Sequence, residues 1–254
     1  MTRALPDAAR LYEVIEATWP PAAHIEAGPW TLRDGQGGGK RVSAATARGA
    51  VTADDLPLAE AEMRKMGMAP LFMLRTGEKA LDAMLADAGY ALVDPVNIHA
   101  IALADLALPA PPRLSAFNLW EPLAIQRDIW AEGGIGPARI EVMRRAARPK
   151  TALLGRHDGR AVATGFVAIH EGTAMVHALE VLPEARRRGA GRILMAEAAR
   201  WARAEGAETL SVICTAANVA ANALYAGIGM AHVGRYHYRQ DPEPHREPRR
   251  EAAS

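Results

Sequence analysis

The chain has 254 residues, 50% of them hydrophobic and 23% charged, and carries a net charge of +1 from 30 basic and 29 acidic side chains. That length holds one large domain or two modest ones, and the balance excludes a disordered chain, a fibrous repeat and an overall basic surface for nucleic acid. No apolar run reaches the length of a spanning helix, the N-terminus lacks a secretory stretch, and the single cysteine, Cys214, builds neither an internal disulfide nor a thiolate metal cage, so the expectation is a cytoplasmic chain without membrane contact.

In chain order, Leu5, Ala8, Leu11, Tyr12 and Ile15 have helical spacing, and Pro20-Pro21 ends that helix. Residues 30–33 and 41–46 read as two strands joined by the glycine-rich turn Asp34-Gly35-Gln36-Gly37-Gly38-Gly39-Lys40. This turn is not the conventional ATP-binding loop, because Asp34 replaces the first glycine, Arg41 replaces the metal-binding hydroxyl, and no helix follows directly. A helix over 56–66, a strand over 70–75, a helix over 78–88 and strands over 90–93 and 97–103 come next. Three prolines within 108–113 mark a linker. Beyond it the pattern gives helices over 122–131 and 137–147, strands over 151–155, 160–170 and 173–182, and a loop over 183–189. A helix to about 205, a strand over 209–214, a helix over 218–226 and strand material to 239 complete it.

The chain repeats itself. Gly67, a strand at 71–74, a helix around Ala83-Met84-Leu85 and Gly89 are echoed by Gly206, a strand at 210–213, a helix around Ala223-Leu224-Tyr225 and Gly229, an offset of 139 to 140 positions. The expected organisation is therefore a first domain over 1–107, a linker over 108–114, a second domain over 115–240 and a disordered tail over 241–254, both domains being α/β (α+β).

Residues 179–195 carry the most chemistry. A strand runs into Arg186-Arg187-Arg188-Gly189-Ala190-Gly191-Arg192, which opens a helix with the apolar face Leu194, Ala198 and Trp201. Free N–H groups and the positive dipole end at such a junction bind anions, glycines let a phosphate approach the backbone, and arginines add charge-assisted hydrogen bonds. Three arginines alone read as ordinary basic surface; with paired glycines after a strand, the pattern points to a pyrophosphate.

At Arg186, Gly189 and Gly191 the sequence resembles the GNAT superfamily of acetyl-coenzyme A-dependent N-acetyltransferases, whose signature is Arg or Gln, two residues, Gly, one residue, Gly or Ala. The family's second element follows as Asn218-Val219-Ala220-Ala221-Asn222-Ala223-Leu224-Tyr225 and Gly229-Met230, with Met230 in place of the final aromatic. The resemblance covers about 117–238. It implies two GNAT-like domains, each a mixed, mostly antiparallel central sheet flanked by helices. It also implies that the fourth strand splays from the fifth, so that backbone groups at Leu179 and Val181 hold the pantetheine arm of acetyl-CoA. Arg186 to Arg192 and Asn218 would complete the cofactor site, and Tyr225 stands where the family places its general acid.

An amine with a pKa of about 10 must lose a proton before it attacks a thioester. His177 resembles a base used by serotonin N-acetyltransferases, while other members carry Glu there; strand alternation sets His177 on the face of Met175, Leu179 and Val181 and Glu180 on the other. His177, Glu180 and a water chain all stay open as the base, and a buried structural histidine is as common a fate. Trp120, Trp130 and Gly133-Gly134-Ile135-Gly136 fall where the family lines its acceptor pocket, although core packing explains each tryptophan equally well. The histidines show no ligand pairing, so no metal is expected. The first half has Asp54-Asp55 in place of the phosphate loop and Leu85 in place of Tyr225, which reads as a degenerate copy that binds no cofactor. The expected partner is a small-molecule or peptide amine, with no nucleic acid and a homodimer left open. A non-catalytic module that senses coenzyme A or a nucleotide is the alternative.

Overall fold

The computed structural model describes residues 4–242. Its elements are, in chain order, α1 (Ala8–Thr18), β1 (Ala23–Ala27), β2 (Trp30–Asp34), β3 (Thr46–Ala47), α2 (Leu56–Lys65), β4 (Leu71–Arg75), α3 (Lys79–Asp87), β5 (Ala91–Ala102) and β6 (Ala116–Leu119). There follow α4 (Ala124–Glu132), α5 (Pro137–Arg145), β7 (Lys150–His157), β8 (Arg160–His170), β9 (Thr173–Val181), α6 (Ala190–Ala204), β10 (Thr209–Thr215), α7 (Val219–Gly227) and β11 (Ala231–Gln240). The fold is mixed α/β, and the helix–strand–helix–strand repeat is present as α2-β4-α3-β5 and α6-β10-α7-β11.

The chain divides into two compact units that are discontinuous in sequence. Among the described residues, one comprises 4–20 and 97–234, the other 21–96 and 235–242. The expected division at 108–114 therefore does not separate them: that segment lies inside the first unit. The physical reason is that β5 and β11, the last strand of each half, are each long enough to run from one unit into the other. A proline-rich stretch without regular structure marks an irregular connection, not a boundary between cores.

In the first unit the strand order is β11-β5-β10-β9-β8-β7-β6. β6 to β9 form an antiparallel meander, and β10 joins β9 in parallel. One sheet face is covered by α6, whose Leu194, Ala198 and Trp201 are buried with Leu153, Val167, Val176 and Leu210. Side chains at helical spacing thus meet side chains of alternating strand positions. The other face carries α1 and α4, which pack on β8 and β9. Asp7 caps α1 by accepting from the Arg10 N–H (2.8 Å), and the fully buried Gln126 ties α4 to the Leu153 carbonyl (3.0 Å).

In the second unit β4 pairs antiparallel with residues 236–240 of β11, and β1, β2 and β3 form a separate small sheet. Its core centres on Trp30, Phe72 and Tyr90, with ring centroids 5.0 and 5.3 Å apart. The glycine-rich turn is not a hairpin. β2 pairs with β1 across Gly28-Pro29, and residues 40–42 form a short 3-10 turn where a strand was expected. The tight reversal at Gly28, with φ +54°, outcompetes the longer glycine run. Asp241, assigned to a disordered tail, is buried and paired with Arg64 (3.5 Å); residues 243–254 of that tail lie outside the described residues.

Candidate active site

β9 controls the geometry of the site. Its parallel ladder to β10 runs from Thr173↔Thr209 to Val176↔Val212 and stops, while β9 continues to Val181 and β10 to Thr215. The edge of β9 beyond Val176 is therefore open toward β10. Against β8 the register shifts between Thr164 and Phe166, so that Gly165 opposes two residues, Ala178 and Leu179. Ala178 has φ +49°, and this β-bulge inserts an extra residue that breaks strict alternation.

The bulge overturns the expected faces. Leu179 and Val181 pack with α6 and the core beneath it. His177 points the other way, with Nε2 2.8 Å from the Thr18 hydroxyl and its ring 5.1 Å from Trp19 and 6.2 Å from Phe166. Glu180 shares the face of His177, because a Cβ on Gly133, at the end of α4, would lie 2.5 Å from the Glu180 carboxyl carbon. His177 is only 3% exposed, whereas the Glu180 side chain is 22% exposed and sits 3.3 Å from Arg186. Trp130 is fully buried and donates to the Ala178 carbonyl (2.8 Å), holding the bulge from the α4 side. Trp120 packs at a tilt against Phe166, with ring centroids 5.6 Å apart, and lies 4.6 Å beneath the Lys150 ammonium.

The arginine loop lies directly beyond β9. Gly189 is the residue before α6 and has φ +85°, a conformation that costs a side-chain-bearing residue about 1–2 kcal/mol. A Cβ there would meet nothing within 4 Å, so the backbone at the helix start is open to a ligand. Gly191 is different: a Cβ would press on Leu224 at 3.1 Å, so this glycine admits α7 against α6. Ala190 is buried under the helix start. Arg187, Arg188 and Arg192 are exposed and form no ion pair among the described residues. Arg186 instead turns back, donating through Nε to the Val181 carbonyl (3.0 Å).

α7 supplies the last group. Asn218 is its exposed N-cap, with Oδ1 accepting from the Ala221 N–H at 3.0 Å. Tyr225 is 3% exposed, and its hydroxyl bonds no protein group among the described residues. Burial, and to a lesser degree the neighbouring Cys214, raise its pKa above the ordinary value, so the phenol holds its proton. The structure thus gathers Leu179, Val181, residues 186–192, Asn218 and Tyr225 around the open end of β9 and β10. It sets His177 apart beneath α1. Asn222 and His99 were passed over in the sequence: Asn222 counted as a spacer within the α7 motif, and His99 lies in the half without a phosphate loop.

A strand that parts from its parallel neighbour, a glycine-started helix beyond it and a buried tyrosine packed in the same core cluster as Leu179 and Val181 stand together. Residues 119–230 match the family model described as acetyltransferase (GNAT) family. They form a GNAT acetyltransferase domain. The chain is 27% identical over 244 residues to the uncharacterized N-acetyltransferase YobR of Bacillus subtilis, covering 92% of this chain and 98% of that protein. Its fold is similar to a GCN5-related N-acetyltransferase from Kribbella flavida (TM-score 0.68, 23% identity, 94% of this chain and 97% of that one). It is also similar to a tandem GNAT protein from the clavulanic acid biosynthesis pathway (TM-score 0.58, 15% identity, 94% and 89%). The GNAT domain makes the chain an acyltransferase. No helix among the described residues is long and apolar enough to cross a membrane, and no cluster of His, Cys, Asp and Glu there is arranged to hold a metal ion.

Proposed function

We propose that the protein transfers the acetyl group of acetyl-CoA directly to the amine of a small molecule or peptide. The observation that carries this reading is the open edge of β9 between the arginine loop and Tyr225. The pyrophosphate would lie on the N–H groups at the start of α6, with Arg187, Arg188 and Arg192 as free cations beside it. The pantetheine arm would replace the missing β10 partner along Leu179 to Val181, and Asn218 would flank it.

Glu180 is the base this geometry favours. Its partly exposed carboxylate takes the amine proton as nitrogen bonds to the thioester carbon. Strand N–H groups steady the oxyanion. As the C–S bond breaks, the departing sulfur takes the Tyr225 proton, and the phenol recovers one from solvent. His177 is the less suited base, because it is buried and its Nε2 is engaged by Thr18.

Thiol release from acetyl-CoA across a panel of small amines, amino acids and peptides tests the reading. Turnover with at least one class, strongly lowered in Tyr225→Phe, is expected. Tight acetyl-CoA binding with no thiol release from any amine would replace it with a coenzyme A-sensing module.

A further inference from the structure

Beside Tyr225 lies a polar cluster that the reaction scheme leaves unused. Asn222 stands three residues before Tyr225 on α7, and its Nδ2 donates to the carbonyls of Thr215 (3.0 Å) and Asn218 (2.8 Å). Those acceptors fix the amide, so Oδ1 must face β5. There it accepts from Asn97 Nδ2 at 2.8 Å and lies 3.1 Å from His99 Nε2. An amide oxygen only accepts, so Nε2 of His99 carries the hydrogen and Nδ1 is bare.

That Nδ1 is buried without a hydrogen-bond partner among the described residues, and His99 as a whole is 6% exposed. An unsatisfied buried acceptor costs about 1–3 kcal/mol, so retaining a histidine here calls for a reason beyond packing. The main chain of His99 is held as well, its carbonyl accepting from the Ser211 hydroxyl on β10 at 2.9 Å. Its ring lies 5.7 Å from that of Tyr225, tilted by 47°, and 5.7 Å edge-on from the exposed His232. His99 therefore grips the helix that carries Tyr225 and touches the Tyr225 ring itself. Among the described residues the phenol has no bond of its own at the hydroxyl, so contacts of this kind set its direction.

We propose that His99 is a positioning residue for the general acid, aiming the Tyr225 hydroxyl at the departing sulfur through Asn222 and through ring contact. His99 belongs to the last strand of the N-terminal half, so the half that lacks the phosphate loop supplies a side chain the reaction depends on. This rests on Tyr225 being the acid.

The test uses His99→Phe, which keeps a ring but loses the donor, and His99→Gln, which keeps a donor for Asn222. Misplacement of a catalytic group by about 1 Å costs on the order of 100-fold, so His99→Phe should lower kcat by about 10- to 100-fold with the KM for acetyl-CoA unchanged. His99→Gln should recover most of that loss. In a Tyr225→Phe background, His99→Phe should cause no further fall, since the group it aims is gone. A fall of equal size in that background, or no recovery with Gln, would overturn the proposal. If His99→Phe fails to fold, Asn222→Leu removes the same clamp from α7 and carries the same expectations. Full turnover of Tyr225→Phe alone would refute the acid reading, a result separate from failure of the positioning role.

Discussion

His177 and Glu180 lie on one face of β9, although three positions separate them and strict alternation would set them on opposite faces. The extra residue at Ala178, which has φ +49°, creates this relationship. It buries the histidine under α1, where Thr18 and Trp19 engage it, and brings the carboxylate against Gly133 at the end of α4. Two candidate bases that look mutually exclusive in sequence thus occupy a deep and a shallow position on the same side.

Replacing these two residues should therefore do different things. Glu180→Gln should lower kcat by roughly 100-fold or more, the usual scale for loss of a general base, with little change in thermal midpoint. His177→Leu should instead cost about 1–3 kcal/mol of stability by orphaning buried polar groups, with kcat of the folded fraction within a few-fold of the parent. Denaturant titration beside steady-state kinetics checks both. A large kcat loss in the folded His177 variant, with Glu180→Gln unaffected, would reverse the roles.

Gly189 separates backbone strain from ligand exclusion. Gly189→Asn tolerates the left-handed conformation better than most residues and has open space for its side chain, so stability should fall by less than about 1 kcal/mol. That side chain nonetheless stands at the helix start, and KM for acetyl-CoA should rise at least several-fold. Acetyl-CoA affinity measured by calorimetry reads this directly; an unchanged value would remove the phosphate role of the loop.

Much of the site was legible because it rests on local rules. Arg186 to Arg192 after a strand specify a turn that opens the amphipathic α6 at Gly189, and Asn218 to Tyr225 specify a capped helix. The paired halves were legible as a repeat. What could not be read depends on register between distant strands. The bulge at Ala178 is created opposite Gly165, and period-two reasoning fails wherever one residue is inserted. The discontinuous units arise because β5 and β11 outlast their own halves, which no local pattern announces. His99 was invisible for the same reason: only strand order brings β5 beside β10, and with it an imidazole beside Tyr225.

Direct attack also makes a prediction for Cys214, near the end of β10. Burial pushes its thiol up to about 11, so the thiolate fraction at pH 7 is on the order of one in ten thousand. Alkylation should run roughly 100-fold slower than for a free cysteine, and Cys214→Ala should retain turnover. Intact-mass spectra after mixing with acetyl-CoA should show no acetylated protein. A stoichiometric acetyl adduct on Cys214 would indicate a two-step route through the thiol.

The neutral His99 has a consequence for stability against pH. Burial lowers its pKa, and nearby His232 lowers it further, while the bond to Asn222 opposes the shift. A histidine whose folded pKa lies below its unfolded value of about 6.5 binds fewer protons in the folded state than in the unfolded state across the interval between them. Stability from this group is therefore complete above about pH 6.5 and declines as pH falls through that value toward the folded pKa. His99→Gln removes the titration and keeps a donor for Asn222. Its thermal midpoint should fall less than that of the parent between pH 7.5 and 5.5, and parallel declines in differential scanning calorimetry would show that His99 is not held neutral by its burial.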